Sequence, residues 1–162
     1  MPESVSHALY TPAQRARRDA TAWTLVHGVL APVQFVIFGV SLYLVLHSLQ
    51  TGEDTQWALA SVVLKTVVLY AIMITGAIWE KVVFDCYLFA PAFFWEDVVS
   101  MGVMVLHTLY VWVWLQGEWS IHAQLTLALA AYGSYAINAA QYIRKLRMAR
   151  LQIIHTSAQV SL

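Results

Sequence analysis

The stretch from Trp23 to Gln50, WTLVHGVLAPVQFVIFGVSLYLVLHSLQ, contains no Asp, Glu, Lys or Arg. The nearest charged residues along the chain are Asp19 and Glu53. A helix needs about 20 consecutive apolar residues to cross the hydrocarbon core of a bilayer, and this stretch supplies them. It therefore predicts a transmembrane helix near residues 24–48. The run is too long for a signal-peptide core and lacks a small-residue cleavage site, so we expect it to be retained.

Two further stretches lack charge, one between Asp97 and Glu118 and one between Glu118 and Arg144. Together with an apolar run interrupted by Lys65, they predict three more spans, near 57–79, 98–116 and 121–143. The composition agrees, because 60% of the 162 residues are hydrophobic and 11% are charged, against about 25% charged in soluble domains. The predicted fold is an all-α membrane protein of four transmembrane helices, forming a single integral domain over residues 1–162.

The distribution of Lys and Arg predicts the orientation. Three arginines precede the first span and four basic residues follow the last, namely Arg15, Arg17, Arg18, Arg144, Lys145, Arg147 and Arg150. The first and third connections carry acidic residues and no Lys or Arg. Basic residues favour the cytoplasmic side, so we expect a multi-pass protein of the bacterial inner membrane with both termini in the cytoplasm.

Charge and cysteine content exclude other classes. The formal net charge is zero, which gives a nucleic-acid partner no electrostatic footprint. Cys86 is the only cysteine, so neither an intrachain disulfide nor a CxxC motif is available.

The segment 80–97, EKVVFDCYLFAPAFFWED, differs from the rest of the chain. It holds six aromatic residues and four acids, and three of the acids, Glu80, Glu96 and Asp97, lie near the cytoplasmic ends of two spans. Pro91 prevents one continuous helix through the segment. Its apolar part is too short to span a bilayer, so we expect an aromatic-rich interfacial or re-entrant segment between the second and third spans. The alternative is an ordinary aromatic belt with solvated carboxylates.

Ionisable residues inside the predicted spans indicate a polar interior. Lys65 and His107 both fall near the middle of the membrane, and His27 lies just inside the first span. We expect Lys65 to have a partner such as His107, or else to extend its amine to the outer surface. Glu96, Ser100, Val103 and His107 share one face of a helix. A buried structural histidine is the alternative for His107.

The region before the first span contains a helix start. Thr11-Pro12-Ala13-Gln14 has the pattern of a capping box with proline at the first helical position. We expect this start to lead through its arginines into the membrane. The segment from Gln141 to Ile154 is predicted to continue the last helix out of the bilayer with a basic face, in contact with lipid headgroups.

Four motifs resemble the 3-vinyl bacteriochlorophyllide hydratase family over residues 10 to 150. They are TPAQRARRD at 11–19, LAPVQF at 30–35, WEKVVF at 79–84 and YLFAPAFFWED at 87–97. The resemblance implies a membrane hydro-lyase of bacteriochlorophyll biosynthesis. Such an enzyme adds water to the C3 vinyl group of chlorophyllide a or bacteriochlorophyllide and forms the 3-(1-hydroxyethyl) product. No cofactor is then expected beyond the magnesium that the pigment carries.

Vinyl hydration needs a general acid, a group that handles water and a dry slot. Glu80 and Glu96 are the candidate acids, because burial beside aromatic walls favours a protonated carboxyl. Asp97 or His107 is the candidate to position or deprotonate water. We take these four residues as the predicted catalytic set.

The pigment itself needs contacts of a different kind. Phe94 and Trp95 are expected to line its slot, and His27 is the candidate ligand for its magnesium. Lys81 or Arg18 is the candidate cation for its propionate. Membrane lipids are a further expected partner, together with either other pigment-biosynthesis enzymes or a second copy of the chain.

Two further interpretations come from different classes. One is a b-type haem protein, since four-helix bundles can hold haem between histidines. The other is a pigment carrier or assembly subunit without catalytic activity, which would tolerate loss of every carboxylate. A haem absorption band would distinguish the first, and a hydration assay the second.

Overall fold

A computed structural model describes residues 9–160, with side chains described for 9–148, 150 and 151. Over this range the chain forms five helices joined by short connections. They are α1 (Pro12–Ala20), α2 (Ala22–Thr51), α3 (Thr55–Phe84), α4 (Phe94–Gln116) and α5 (Ile121–Val160). The prediction of an all-α fold is confirmed.

Helices α2 and α3 form one antiparallel pair, and α4 and α5 form a second. Each pair is closed by a tight turn at a glycine that ends the preceding helix in the left-handed region, with φ of 76° at Gly52 and 67° at Gly117. Only glycine adopts this conformation without steric cost. Contacts of α2 and α3 with α5, and of α3 with α4, join the two pairs into a bundle.

Three helices, α2, α3 and α4, are long and apolar enough to cross a membrane. They contain the predicted spans 24–48, 57–79 and 98–116. On α2 the exposed side chains include Leu25, Val29 and Val36, as expected of a surface that contacts lipid tails. Helix α5 contains the segment 121–143 that the sequence predicts as the fourth span, and it continues without interruption to Val160.

The interior of the bundle holds a buried lysine with a partner. The Lys65 amine lies 2.8 Å from His107 Nε2 and 3.8 Å from the centre of the Tyr135 ring. His107 Nδ1 lies 2.8 Å from the Val103 carbonyl oxygen, which can only accept. Nδ1 therefore carries the proton and Nε2 accepts from the amine. The predicted pairing of Lys65 is confirmed, and the alternative that it extends to the outer surface is wrong, because its side chain is fully buried.

The N-terminal helix begins as predicted but ends earlier. The Gln14 amide donates to Thr11 Oγ1 at 3.2 Å, and the Thr11 amide donates to Gln14 Oε1 at 2.9 Å, which completes the capping box. This helix does not continue unbroken into the first span, because α1 ends at Ala20 and α2 begins at Ala22. Thr21 adopts an extended conformation after α1 and caps α2 by accepting a hydrogen bond from the Trp23 amide. A second cap within the sequence thus separates the two helices.

Candidate active site: a buried carboxyl cluster

Three carboxyl groups are buried together where α3 ends and α4 begins, and we call Glu80, Glu96 and Asp97 the carboxyl cluster. Their exposed fractions are 5%, 8% and 1%. Glu80 lies in the last turns of α3, and the other two lie in the first turn of α4. Burying acids is costly unless they are paired or hydrogen-bonded. Such an accumulation in a confined place is typical of functional sites.

The connection between α3 and α4, residues 85–93, turns back over the carboxyl cluster. Asp85 and Phe89 have φ of 66° and 61°, and these left-handed residues reverse the chain. The Phe89 amide then donates to Asp97 Oδ2 at 2.8 Å, and the next amide, of Ala90, donates to Glu80 Oε2 at 3.3 Å. Because two consecutive amides bind them, the carboxyl groups of Glu80 and Asp97 are close neighbours, near enough to interact directly.

Helix α5 supplies the other contacts of the cluster. The Tyr142 hydroxyl donates to Asp97 Oδ1 at 3.2 Å, and the Lys145 amine lies 2.5 Å from Glu96 Oε2. Over the part of the chain that the structure describes, no lysine or arginine forms an ion pair with Glu80 or Asp97. The cluster therefore contains one neutralised acid and two neighbouring acids that share no cation.

Aromatic side chains enclose the cluster on the side of α1. Phe93 is buried and stacks on Tyr142 with ring centres 6.1 Å apart. Its ring also contacts Trp79, Phe84 and Tyr10, each with centres 5.8 to 6.4 Å away. These apolar walls keep water away and strengthen the electrostatic interactions of the carboxyl groups.

Comparison with known proteins agrees with this chemistry. Residues 10–148 match the family model of 2-vinyl bacteriochlorophyllide hydratase. The chain belongs to this family. Hydratases of this name from Cereibacter sphaeroides and Rhodobacter capsulatus are 59% and 61% identical to it. The matches cover 94% of this chain and 94% of the first relative, and 90% of this chain and 84% of the second.

The family assignment confirms the predicted membership, and therefore that the chain is of a hydro-lyase family. The family name counts the vinyl group as position 2, whereas the resemblance drawn from the motifs counts it as position 3. Vinyl hydration is common to both names. No solved structure matches the chain.

The predicted catalytic residues fall in two places. Glu80, Glu96 and Asp97 come together, with Glu80 beside Asp97 and Glu96 directed to Lys145. His107 shares the buried face of α4 with Glu96. It lies eleven residues further along, however, or about 16 Å at 1.5 Å per residue. Its two ring nitrogens are occupied by Lys65 and Val103.

The residues predicted to contact the pigment lie outside the carboxyl cluster. Phe94 and Trp95 are exposed at 42% and 69%. The Lys81 amine is exposed and donates to the Asp85 carbonyl at 2.8 Å. His27 Nε2 lies 3.3 Å from the Thr75 hydroxyl. Their roles in binding stay predictions.

Arg18 and Arg17 have different surroundings at the start of the chain. Arg18 contacts Asp19 and lies over the Tyr10 ring, 4.8 Å from its centre. Arg17 forms an ion pair with Asp85 at 2.7 Å and so ties α1 to the connection. The guanidinium of Arg17 holds the pKa of the exposed Asp85 carboxyl below its usual value.

Sequence reasoning missed Tyr142 and Lys145 as partners of the acids. Both lie on the face of α5 that also carries Asn138, since the spacings of four and seven residues return to one side of a helix. That spacing was the feature of the sequence that could have identified Tyr142 and Lys145 as partners of the acids. It was obscured because Lys145 also belongs to the run of basic residues that the positive-inside rule explains.

Proposed function

We propose that this protein hydrates the vinyl group of chlorophyllide a or bacteriochlorophyllide and forms the 1-hydroxyethyl product. The observation that carries the proposal is the neighbouring pair of buried acids, Glu80 and Asp97, in a chain of the vinyl hydratase family. Hydration of a vinyl group transfers a proton to the terminal carbon and a hydroxyl to the inner carbon. A buried pair of carboxyl groups can supply and recover that proton.

The hydrogen bonds of the two acids differ and suggest their roles. Asp97 accepts from the Phe89 amide and from the Tyr142 hydroxyl, and both contacts stabilise a carboxylate. Glu80 accepts one longer hydrogen bond, from the Ala90 amide. Two adjacent buried acids without a cation avoid carrying two negative charges. We therefore assign the shared proton to Glu80 and the negative charge to Asp97.

The proposed reaction needs only the pigment and water. Glu80 gives its proton to the terminal vinyl carbon, whose π electrons form the new C–H bond. The inner carbon becomes a cation that conjugation with the macrocycle stabilises, and the nearby Asp97 carboxylate stabilises it further. Water attacks this carbon and releases a proton to the carboxyl pair, which returns to its starting state. No cofactor is needed beyond the magnesium of the pigment.

Glu96 and His107 have supporting roles in this mechanism. The ammonium of Lys145 neutralises Glu96, so Glu96 is better suited to holding α4 against α5 than to donating a proton. His107 is fully buried and holds Lys65 in the bundle interior. We propose that it supports the fold and does not handle the attacking water.

The pigment is proposed to bind at the membrane surface beside the connection 85–93. Aromatic side chains exposed there offer flat apolar contacts to a macrocycle, namely Tyr87, Phe89, Phe94 and Trp95. Lys81 is exposed next to this surface and can bind the propionate. His27 can reach the magnesium if its imidazole leaves the hydroxyl of Thr75.

The proposed topology places α5 as the fourth span, with its segment 121–143 in the bilayer and its basic end in the cytoplasm. At 1.5 Å per residue the 40-residue helix is about 60 Å long, twice the thickness of a hydrocarbon core. The protein would then lie in the bacterial inner membrane with both termini in the cytoplasm. Pigment-biosynthesis enzymes, or a second copy, are the proposed partners. Reporter fusions after residue 155 and within 85–93 should report cytoplasm, and fusions at Glu53 or Glu118 the opposite side.

The test of function is a hydration assay. Membranes containing the protein are mixed with chlorophyllide a, and the pigments are separated and weighed by mass spectrometry. A product heavier by one water, absent from membranes without the protein, supports the proposal. Pigment that is bound but unchanged would instead identify a carrier.

A further inference from the structure

Hydration consumes water, yet the acids of the carboxyl cluster are buried, with exposed fractions of 8% or less. The second substrate therefore needs its own binding place. Helix α5 offers one beside Asp97. Asn138 is 8% exposed, and its amide nitrogen donates to Ser100 Oγ at 2.8 Å. Ser100 is buried one turn beyond Glu96 and Asp97 on α4.

Two amide oxygens in this region are buried and unpaired. Among the residues that the structure describes, Asn138 Oδ1 and Gln141 Oε1 have no hydrogen-bond partner. Buried polar atoms are nearly always satisfied, by protein or by ordered water. The two residues are three positions apart on α5, so their side chains lie on neighbouring parts of one helix face. Two acceptors close together match the two hydrogens of one water molecule.

The same face connects this place to the acid pair. Tyr142, next along α5, donates to Asp97, and its hydroxyl also approaches Ser100. Asn138, Ser100, Tyr142 and Asp97 thus form a continuous polar row from the unpaired oxygens to the proposed base. A water held by its hydrogens presents its oxygen lone pairs away from α5, which is the orientation that a nucleophile needs. After the attack, the proton that the water releases passes through the hydroxyls of Ser100 and Tyr142 to Asp97.

We propose that Asn138 and Gln141 bind the water that attacks the vinyl group and fix the side from which it attacks. The inference rests on the proposed hydratase function. The cation formed at the inner carbon is planar, so water held on one side gives one configuration of the new alcohol. Asn138 and Gln141 bind and orient the water, and the acid pair carries out the proton transfer.

The test compares substitutions that fill the place with substitutions that leave it open. Asn138→Leu and Gln141→Met replace the acceptors by apolar groups of similar volume. Asn138→Ala and Gln141→Ala leave room for a further water in place of the amide. If the residues bind water, the filled variants should lose about 10²-fold in kcat, as expected when a reactant is misplaced, and the alanine variants less. If the residues only pack, the order reverses, because alanine leaves a cavity.

Two readouts separate this role from a general loss of structure. The KM for chlorophyllide a should stay near that of the unchanged protein, and the ratio of the two product configurations should fall toward one in the filled variants. Gln124→Leu is the matched control: its Oε1 is also buried and unpaired among the described residues, but it lies at the other end of α5. It should retain rate and configuration.

The outcomes distinguish two failures. Full kcat and unchanged configuration in the Asn138 and Gln141 variants would overturn the water site and leave the hydratase function standing. Losses that are larger in alanine than in filled variants would also overturn it, in favour of packing. Absence of any hydration by the unchanged protein would overturn the proposed function itself.

Discussion

Two buried groups of charged side chains in the described part of the chain, the Lys65–His107 pair and the carboxyl cluster, differ in how completely their polar atoms have partners. In the middle of the bundle, the Lys65 amine donates to His107, and His107 donates to a carbonyl. At the end of α3, three acids meet one lysine, and two of the acids lie side by side. The first arrangement has a partner for each charged or polar atom named, and it stabilises the fold. In the proposed mechanism, the second retains a shared proton and a negative charge that take part in the reaction.

The largest effect should come from the acid pair. Glu80→Gln keeps size and polarity but removes the transferable proton, so we expect turnover to fall by about 10²–10⁴-fold with pigment binding retained. Asp97→Asn should lose turnover similarly, because it removes the base and the stabilising charge. Initial rates of chlorophyllide a hydration measure both, with Glu118→Gln in the third connection as the control. Near-normal rates in both variants would place the acid elsewhere.

Substitutions in the Lys65–His107 pair should change the stability of the protein and leave its turnover unchanged. Lys65→Met leaves the buried His107 Nε2 without its donor and should lower the free energy of unfolding by about 1–3 kcal/mol. The double substitution Lys65→Met with His107→Leu removes both partners and should recover most of that loss. Thermal unfolding in detergent measures the change. A large loss of turnover per folded molecule in the double variant would give this pair a part in the reaction after all.

Lys145 distinguishes the acids of the carboxyl cluster, because it neutralises Glu96 and neither of the other two. Lys145→Met leaves Glu96 charged and largely buried, and should lower the free energy of unfolding by about 1–3 kcal/mol. Lys145→Arg keeps the charge and should cost about 1 kcal/mol or less. Unfolding in denaturant compares the two. Equal effects of Met and Arg would indicate that the ion pair contributes nothing and that only packing of the side chain matters.

The ion pair of Arg17 with Asp85 should give the smallest effect, since both side chains are largely exposed. Arg17→Gln should change stability measurably at low ionic strength and hardly at all at 0.15 M salt, where charges are screened over about 8 Å. Because Arg17 lowers the Asp85 pKa from its ordinary 3.8, the contribution is present above that value. It disappears as the pH falls through the lower pKa of the folded protein. A loss that begins near neutral pH would point to another group.

The carboxyl cluster shows how much of the site could be predicted from the sequence. It selected Glu80, Glu96 and Asp97 from their bunching beside aromatic residues, and it expected Lys65 to find a partner. It paired Glu80 in function with Glu96, whereas the structure places Glu80 beside Asp97 and Glu96 on Lys145. The difference arises because the side chains of residues 96 and 97 point about 100° apart on α4, and only packing decides which one meets α3.

The sequence by itself determined that this protein is helical, that long apolar helices dominate it and to which family it belongs. These properties depend on composition and on short motifs, which are local. The tertiary structure decided the turn of residues 85–93 over the acids and the contacts of Tyr142 and Lys145. Those features need α5 to lie against α4 and the backbone amides of Phe89 and Ala90 to point inward. No pattern along the chain records such distances, because they are set by how whole helices pack.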